Sequence, residues 1–189
     1  MTARRPGPLR DEAARMLMHS SIVAELDAHE ARLVIDAMSP MLVEAGTVIM
    51  EEGQTEDADY MALLLEGQVR AETASGVAGE EVVISILNPG QLIGEMGLLD
   101  GSPRSATCTA LTDVKMATLS RAALRGLVEV QPALAARLLL AVAQSMAQRV
   151  RESNRRLRTL SQVTRALQRE LDATHAVNRR LLGEEDTRP

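Results

Sequence analysis

The sequence predicts an α+β fold, in which a jelly-roll-like β-sandwich or barrel is flanked by N-terminal helices and a long C-terminal coiled-coil helix. Three patterns lead to this prediction. Apolar residues recur at three- and four-residue spacings over residues 8–38, β-rich runs separated by glycine turns fill residues 42–118, and neither glycine nor proline occurs between Ala133 and Leu182. The chain therefore divides into an N-terminal helical segment, a β-domain and a C-terminal helical segment: residues 1–39, 40–119 and 120–189.

Composition narrows the kind of protein. Of 189 residues 46% are hydrophobic, but there is one Tyr and no Phe or Trp, so we expect an aliphatic core rich in Leu, Val, Ile and the ten Met. The single cysteine, Cys108, excludes an internal disulfide, is typical of a reducing compartment and is expected to be buried. No apolar run reaches the roughly 20 residues that span a bilayer, and the N-terminus lacks the apolar centre of a signal peptide. The cytoplasm is the expected location.

Several function classes are disfavoured. The net charge of −5 argues against general nucleic-acid binding. The three histidines, His19, His29 and His175, are far apart and show no metal-ligand spacing. Hydrolase, zinc-protease and P-loop motifs do not occur, and no base–nucleophile pair is apparent. We therefore expect neither a metal site nor an enzyme.

The first segment predicts two helices. Leu17, Ile22 and Leu26 carry the helical spacing of the first, and Asp27 followed by Glu30 is typical of an N-cap that starts the second.

The last segment contains about five heptads. Its d positions are Met146, Ser153, Leu160, Leu167, Thr174 and Leu181. Its a positions are Val150, Leu157, Thr164, Leu171 and Asn178. This spacing predicts a coiled coil, with a parallel homodimer as the favoured interpretation and a helix folded back on its own domain as the alternative.

Arginines are concentrated on the same helix. From Arg149 to Arg180 there are nine Arg against three acidic residues, a local charge of +6. One interpretation is a solvated face with some inter-chain ion pairs. The other is a docking surface for an acidic partner, a lipid headgroup or nucleic acid.

Residues 94–110, GEMGLLDGSPRSATCTA, carry the chemistry. Gly94 allows close approach to a ligand, and the amides that follow begin a short helix whose N-terminus favours an anion. Arg104 can hold the same anion through two hydrogen bonds, and Ser105 adds a hydroxyl. Glu95 would repel an anion alone, but it fits a ligand that carries a hydroxyl beside its phosphate, such as a ribose.

This stretch resembles the phosphate-binding cassette of cyclic nucleotide-binding domains, which occur in catabolite activators, kinase regulatory subunits and gated channels. The family pattern is roughly F-G-E-[LM]-[AGS]-L-[LF]-x(2–4)-P-R-[SAT]-A-[TS]; this chain has I-G-E-M-G-L-L-D-G-S-P-R-S-A-T, with Ile93 replacing the usual Phe. The resemblance extends over about residues 40–157, and it implies a cyclic nucleotide-binding β-roll.

The resemblance also implies a role for each matching residue. Glu95 would accept from the ribose 2′-OH, and Arg104 and Ser105 would bind the cyclic phosphate with the amides of Gly94 and Met96. Two further pairs would contact the base: Val69 and Ile84 from the β-roll, and Ser153 and Asn154 from the long helix. The family's bacterial members place Thr and Ser at the last two positions. Ser105 favours cAMP, and cGMP stays possible.

Three function classes stay open. The favoured one is a stand-alone, dimeric cyclic nucleotide receptor that signals to a protein partner through its C-terminal helix, with a hinge near Val130–Pro132. Because only a few residues follow Leu182, no DNA-recognition domain and no sequence-specific DNA binding are expected. The alternatives are a ligand-free assembly protein that uses the coiled coil, and a nucleic-acid or acidic-partner binder that uses the arginine-rich helix.

Overall fold

A computed structural model describes residues 13–17, 26–74 and 81–181. The chain separates into two compact units, residues 1–145 and residues 146–189. Some of the sequence predictions fall outside the described residues. They concern His19, Ile22 and the chain after Leu181.

The first unit contains eight antiparallel strands arranged in two four-stranded sheets. The strands are β1 Ser39–Val43, β2 Val48–Met50, β3 Tyr60–Glu66, β4 Val69–Ala74, β5 Glu81–Leu87, β6 Leu92–Ile93, β7 Thr107–Ala110 and β8 Val114–Ser120. One sheet has the order β1-β8-β3-β6 and the other β2-β7-β4-β5. The predicted β-roll with flanking helices is therefore confirmed.

One of these strands was not expected from the sequence. β1 begins with Ser39 and Pro40, ahead of residue 42, where the β-rich runs start. Pro40 cannot donate to a neighbouring strand, but β1 lies at the edge of its sheet, next to β8 alone, where this is tolerated.

The core between the sheets is aliphatic, as predicted. Its buried members are Met50, Ala62, Leu64, Val69, Ala71, Leu87, Ile93, Cys108, Ala110, Val114 and Met116. Tyr60 packs at its margin and is only partly buried. Cys108, the one cysteine of the chain, is buried, as its position on β7 predicted for a small apolar residue.

Five helices are described: α1 over residues 13–17, α2 Ala28–Asp36, α3 Glu95–Asp100, α4 Arg121–Val130 and α5 Pro132–Leu181. Asp27 caps α2 by accepting from the amides of His29 and Glu30, and the Glu30 side chain accepts from the Asp27 amide in return. The predicted N-cap is therefore present, as one half of a capping box. Ser120 caps α4 through the amide of Ala123.

The long helix starts after a one-residue break. α4 ends at Val130, Gln131 has non-helical backbone angles, and Pro132 opens α5, where a missing N–H costs nothing. An ion pair of 2.5 Å joins Arg137 on α5 to Glu30 on α2. The same glutamate thus completes a helix cap and holds the first turns of α5.

The second unit, as far as it is described, is helix alone. Every side chain from residue 151 to residue 180 is exposed in the single chain, including Leu157, Leu160, Leu167 and Leu171, at 50–62% exposure. Within the described segments, no helix combines the length and the apolarity needed to cross a membrane.

Candidate functional site

The short helix α3 starts in a way that only glycine permits. Gly94, its N-cap, has a φ of 72°, in the left-handed region. A Cβ at this position would collide with the Arg104 guanidinium and would lie 2.7 Å from the Cε of Met50. The sharp turn lets the Gly94 carbonyl accept from Arg104 while the chain enters α3.

Arg104 is the centre of the site and is only 4% exposed. Its Nη1 donates to the carbonyls of Tyr60, at 2.9 Å, and Gly94, at 3.0 Å, and its Nη2 lies 3.4 Å from the Asp57 carbonyl. The guanidinium also stacks on the Tyr60 ring, 4.7 Å from the centroid. Its Nε is buried and has no hydrogen-bond partner among the described residues.

The backbone of Arg104 is held by the turn that follows β2. The Gly53 amide donates to the Arg104 carbonyl at 2.8 Å, and the Arg104 amide donates to the Gln54 carbonyl at 2.9 Å. Beside this pairing, the Glu52 carboxylate accepts from the Thr73 hydroxyl and the Ala74 amide, at the end of β4. The Thr73 hydroxyl is the main reason that the pKa of Glu52 is lowered.

Two further polar groups of the cassette differ in their exposure. Glu95 is 2% exposed, although it is a carboxylic acid at the first position of α3. Ser105 is exposed, and its hydroxyl lies 3.6 Å from the sulfur of Met96, a weak acceptor. The exposed hydroxyl can therefore exchange its weak partner for a stronger one at little cost.

A second arginine holds the other end of α3. Arg121, at the start of α4, donates from Nη2 to the Gly97 carbonyl at 2.6 Å. Its charge contributes to the lowered pKa of Asp100, which is caused mainly by hydrogen bonds from Ser102. A cation at a helix C-terminus stabilises the helix, so Arg121 fixes α3 while Arg104 fixes its start.

Burial dominates the electrostatics of the site. It lowers the pKa of Arg104, but a guanidinium stays protonated at any physiological pH, so the cation persists in apolar surroundings. Burial also raises the pKa of Tyr60, whose hydroxyl therefore stays neutral and donates to the Ile49 carbonyl. A buried cation beside the first amides of a helix can bind an anion. The described residues contain no cluster of acidic, His and Cys side chains that could hold a metal.

The structure brings together the cassette residues that the sequence singled out. Arg104 donates to the Gly94 carbonyl, and the Ser105 hydroxyl contacts the sulfur of Met96. The predicted base contacts are more dispersed: Val69 is fully buried in the core, whereas Ile84 is 42% exposed on β5, at a bulge in its pairing with β4. Their role in base recognition stays a prediction.

Ser153 and Asn154, the other predicted base contacts, lie on α5 in the second unit. Both are exposed there. Their contact with a base also stays a prediction.

Several residues of the site were not identified from the sequence. Asp57 has a φ of 51°, unusual for a residue other than glycine, and it directs its carbonyl at Arg104. Tyr60 and Arg121 contact the cassette from 44 and 24 residues away. The one available signal was Tyr60, because a lone aromatic residue in an aliphatic chain is conspicuous.

Comparison with known proteins places the cassette in a family. The model of the cyclic nucleotide-binding domain matches residues 40–131. A cAMP-dependent protein kinase regulatory subunit of Yarrowia lipolytica is 36% identical over 100 residues, or 53% of this chain and 25% of that protein. The chain thus spans about a quarter of the length of this relative.

Solved structures of similar fold cover more of the chain. A cyclic nucleotide-binding domain from Methylobacillus flagellatus has a TM-score of 0.71 and 29% identity, over 78% of this chain and 82% of that one. The N-terminal domain of a transcriptional regulator from Streptomyces coelicolor has a TM-score of 0.62 and 32% identity, over 75% of this chain and 94% of that one. Each likeness thus covers at least three quarters of this chain.

Gly94→Ala should destabilise the protein, with strain of roughly 1–3 kcal/mol from the left-handed backbone and a further loss from the collision with Arg104 and Met50. Gly53→Ala is the matched control, because Gly53 has a φ of 81° but nothing within 4 Å of an added Cβ. Chemical denaturation of both variants separates the two contributions. Equal losses of stability would show that the close packing at Gly94 contributes nothing.

Arg121→Gln should loosen α3. Losing a charge-assisted hydrogen bond should speed amide hydrogen exchange in residues 97–101 roughly 10- to 100-fold, while exchange in β3 and β8 stays unchanged. Arg121→Lys should restore part of the protection, and Arg125→Ala, an exposed arginine of the same helix, should have no effect. A uniform increase over the whole β-roll would contradict a local role.

Proposed function

Because the chain belongs to the cyclic nucleotide-binding domain family through residues 40–131, we propose that it is a non-catalytic receptor for a cyclic nucleotide, with cAMP as the first candidate and cGMP as the second. Its relatives include regulatory subunits named for cAMP-dependent kinases. The single cysteine of the chain is consistent with a reducing compartment and so with a cytoplasmic site of action. The receptor is proposed to act as a homodimer that signals to a protein partner.

One observation carries this proposal: the buried guanidinium of Arg104 has a hydrogen-bond donor without an acceptor. Its Nη atoms are engaged by backbone carbonyls, whereas Nε has no partner among the described residues. A buried donor without an acceptor costs about 1–3 kcal/mol. An equatorial phosphate oxygen would satisfy Nε and neutralise the buried charge at once.

The other cassette groups fit the remaining parts of such a ligand. The first amides of α3 have no acceptor within the helix, because the Leu98 amide is the first to bond back, to the Gly94 carbonyl. The amides of Gly94 and Met96, with the exposed Ser105 hydroxyl, are proposed to complete the phosphate shell. Glu95 is proposed to accept from the ribose 2′-OH, a group that inorganic phosphate lacks.

The dimer is proposed to form along the a and d positions of α5. Leu157, Leu160, Leu167 and Leu171 are at least 50% exposed in the single chain, which is costly for four leucines on one helical face. Val163 and Val177, at g positions, widen the same apolar face. A second copy of the helix would cover this surface. The break at Gln131 is the proposed hinge through which ligand binding reorients α5.

The arginine-rich face supports a second candidate function, the binding of an acidic partner. In the heptad register the e positions are Asn154, Ser161, Gln168 and His175, which offer no carboxylate to arginines across a parallel dimer. Arg151, Arg155, Arg158, Arg165 and Arg169 stand at b and f, away from the apolar seam. Dimerisation would therefore leave this basic face open. Binding of duplex DNA that weakens steeply with salt would favour nucleic acid over an acidic protein.

Titration calorimetry with cAMP and cGMP tests the receptor function. The protein, freed of bound ligand, should bind at least one of them, and Arg104→Ala should weaken that binding by roughly 2–5 kcal/mol, or about 30- to several thousand-fold. Ser105→Ala, at an exposed position, should cost roughly 10- to 100-fold. Arg125→Ala is the control for removing a positive charge.

Arg104 also supports the fold through backbone carbonyls, so thermal unfolding of Arg104→Ala must be measured beside its binding. Ser105→Ala keeps the test sharp if Arg104→Ala unfolds, because Ser105 bonds only to the sulfur of Met96 among the contacts described above. Absence of heat with both nucleotides would favour the assembly protein.

Sedimentation velocity tests the dimer. Leu167→Glu places a charge at a d position that the proposed dimer would bury, so it should weaken self-association more than tenfold. Gln162→Glu adds the same charge at an f position and should leave the dimer intact. A wild-type monomer, or equal effects of the two substitutions, would contradict the proposed seam.

A further inference from the structure

We propose that Met96 is a site of reversible sulfur oxidation, and that its sulfoxide weakens phosphate recognition by taking over the hydroxyl of Ser105. This inference rests on the proposed function, because it concerns the same cassette. It requires an oxidant of the peroxide class. Two independent observations carry it: the exposure of Met96 and the contact between its sulfur and Ser105.

Met96 is set apart by its accessibility. Its side chain is 43% exposed, whereas Met38, Met50, Met61 and Met116 are at most 7% exposed. The other methionines among the described residues, Met16, Met41 and Met146, are of intermediate exposure. An oxidant that reaches sulfur according to exposure therefore meets Met96 first among the methionines that the structure describes.

The exposed sulfur also touches a group of the proposed phosphate shell. The Ser105 hydroxyl lies 3.6 Å from Sδ of Met96, and a thioether is a weak acceptor. A phosphate oxygen can therefore compete successfully for this hydroxyl. The reduced form of Met96 keeps Ser105 in place without opposing the ligand.

Oxidation reverses that competition. Hydrogen peroxide transfers one oxygen to Sδ; the O–O bond breaks, a sulfur–oxygen bond forms, sulfur loses two electrons and the second oxygen leaves as water. The sulfoxide oxygen is a strong, partly negative acceptor, so it retains the Ser105 hydroxyl against the competition of an incoming phosphate. Methionine sulfoxide reductase, supplied with a thiol reductant, returns the thioether.

The test compares the affinity for cAMP before and after mild treatment with hydrogen peroxide, with the oxidation of each methionine followed by peptide mass spectrometry. Wild-type protein should form the Met96 sulfoxide before the other described methionines are oxidised. Its affinity should fall roughly 10- to 100-fold, the loss of a hydrogen bond to a charged group. Treatment with the reductase should restore it.

Two variants tie the effect to the proposed contact. The affinity of Met96→Leu should not respond to peroxide, whereas Met41→Leu, which removes a half-buried methionine elsewhere, should respond as the wild type does. Ser105→Ala binds more weakly from the start, and oxidation should change its affinity by no more than about twofold, because the hydroxyl that the sulfoxide captures is absent.

Four outcomes would overturn the inference: slow oxidation of Met96, unchanged affinity after its oxidation, a peroxide response in Met96→Leu, or a full response in Ser105→Ala. Absence of binding by the untreated protein is a separate result, because it removes the proposed function and this inference with it.

Discussion

The burial of one cation organises this protein. Arg104 lies under a six-residue helix, and its guanidinium draws together the carbonyls of Tyr60 and Gly94 from two different parts of the β-roll. A buried charge requires compensating partners; backbone carbonyls and the Tyr60 ring supply them for the Nη atoms, while Nε has none among the described residues. The left-handed turns at Gly94 and Asp57 are consequences of this requirement, because each aims a backbone oxygen at the guanidinium. The local backbone around α3 is thus arranged around one buried guanidinium.

Much of this arrangement was predictable from the sequence because its signals are local. Glycine spacing and β-rich runs predicted a β-sandwich, jelly roll or barrel, and the family resemblance implied the β-roll that the structure contains. Asp27 with Glu30 predicted the N-cap of α2. The cassette was found for the same reason. Its glycines, carboxylate and arginine stand within 12 residues, so a short-range pattern reveals them without knowledge of the fold.

The parts that escaped prediction depend on contacts between distant residues. The Glu52 carboxylate that closes the end of β4 and the Arg121 guanidinium on the Gly97 carbonyl are each fixed by how sheets and helices meet. The sequence around a single acidic or basic residue gives no indication of a hydrogen-bond partner that is distant along the chain. Pro40 argued against the strand β1, because a proline disfavours a strand in the interior of a sheet. The proline is tolerated because β1 lies at the edge of its sheet, which the sequence does not reveal. Register and edge position are properties of the whole sheet.

The scarcity of aromatic residues has a spectroscopic consequence. Tyr60 is the only Phe, Tyr or Trp among the 189 residues, and its ring stacks on the guanidinium of Arg104. Tyrosine emission and near-ultraviolet dichroism of this chain therefore originate from one ring, without the tryptophan background that obscures such signals in most proteins. Any event that shifts the buried cation alters the surroundings of that chromophore. The native protein thus carries its own optical probe at the site, with no label to introduce.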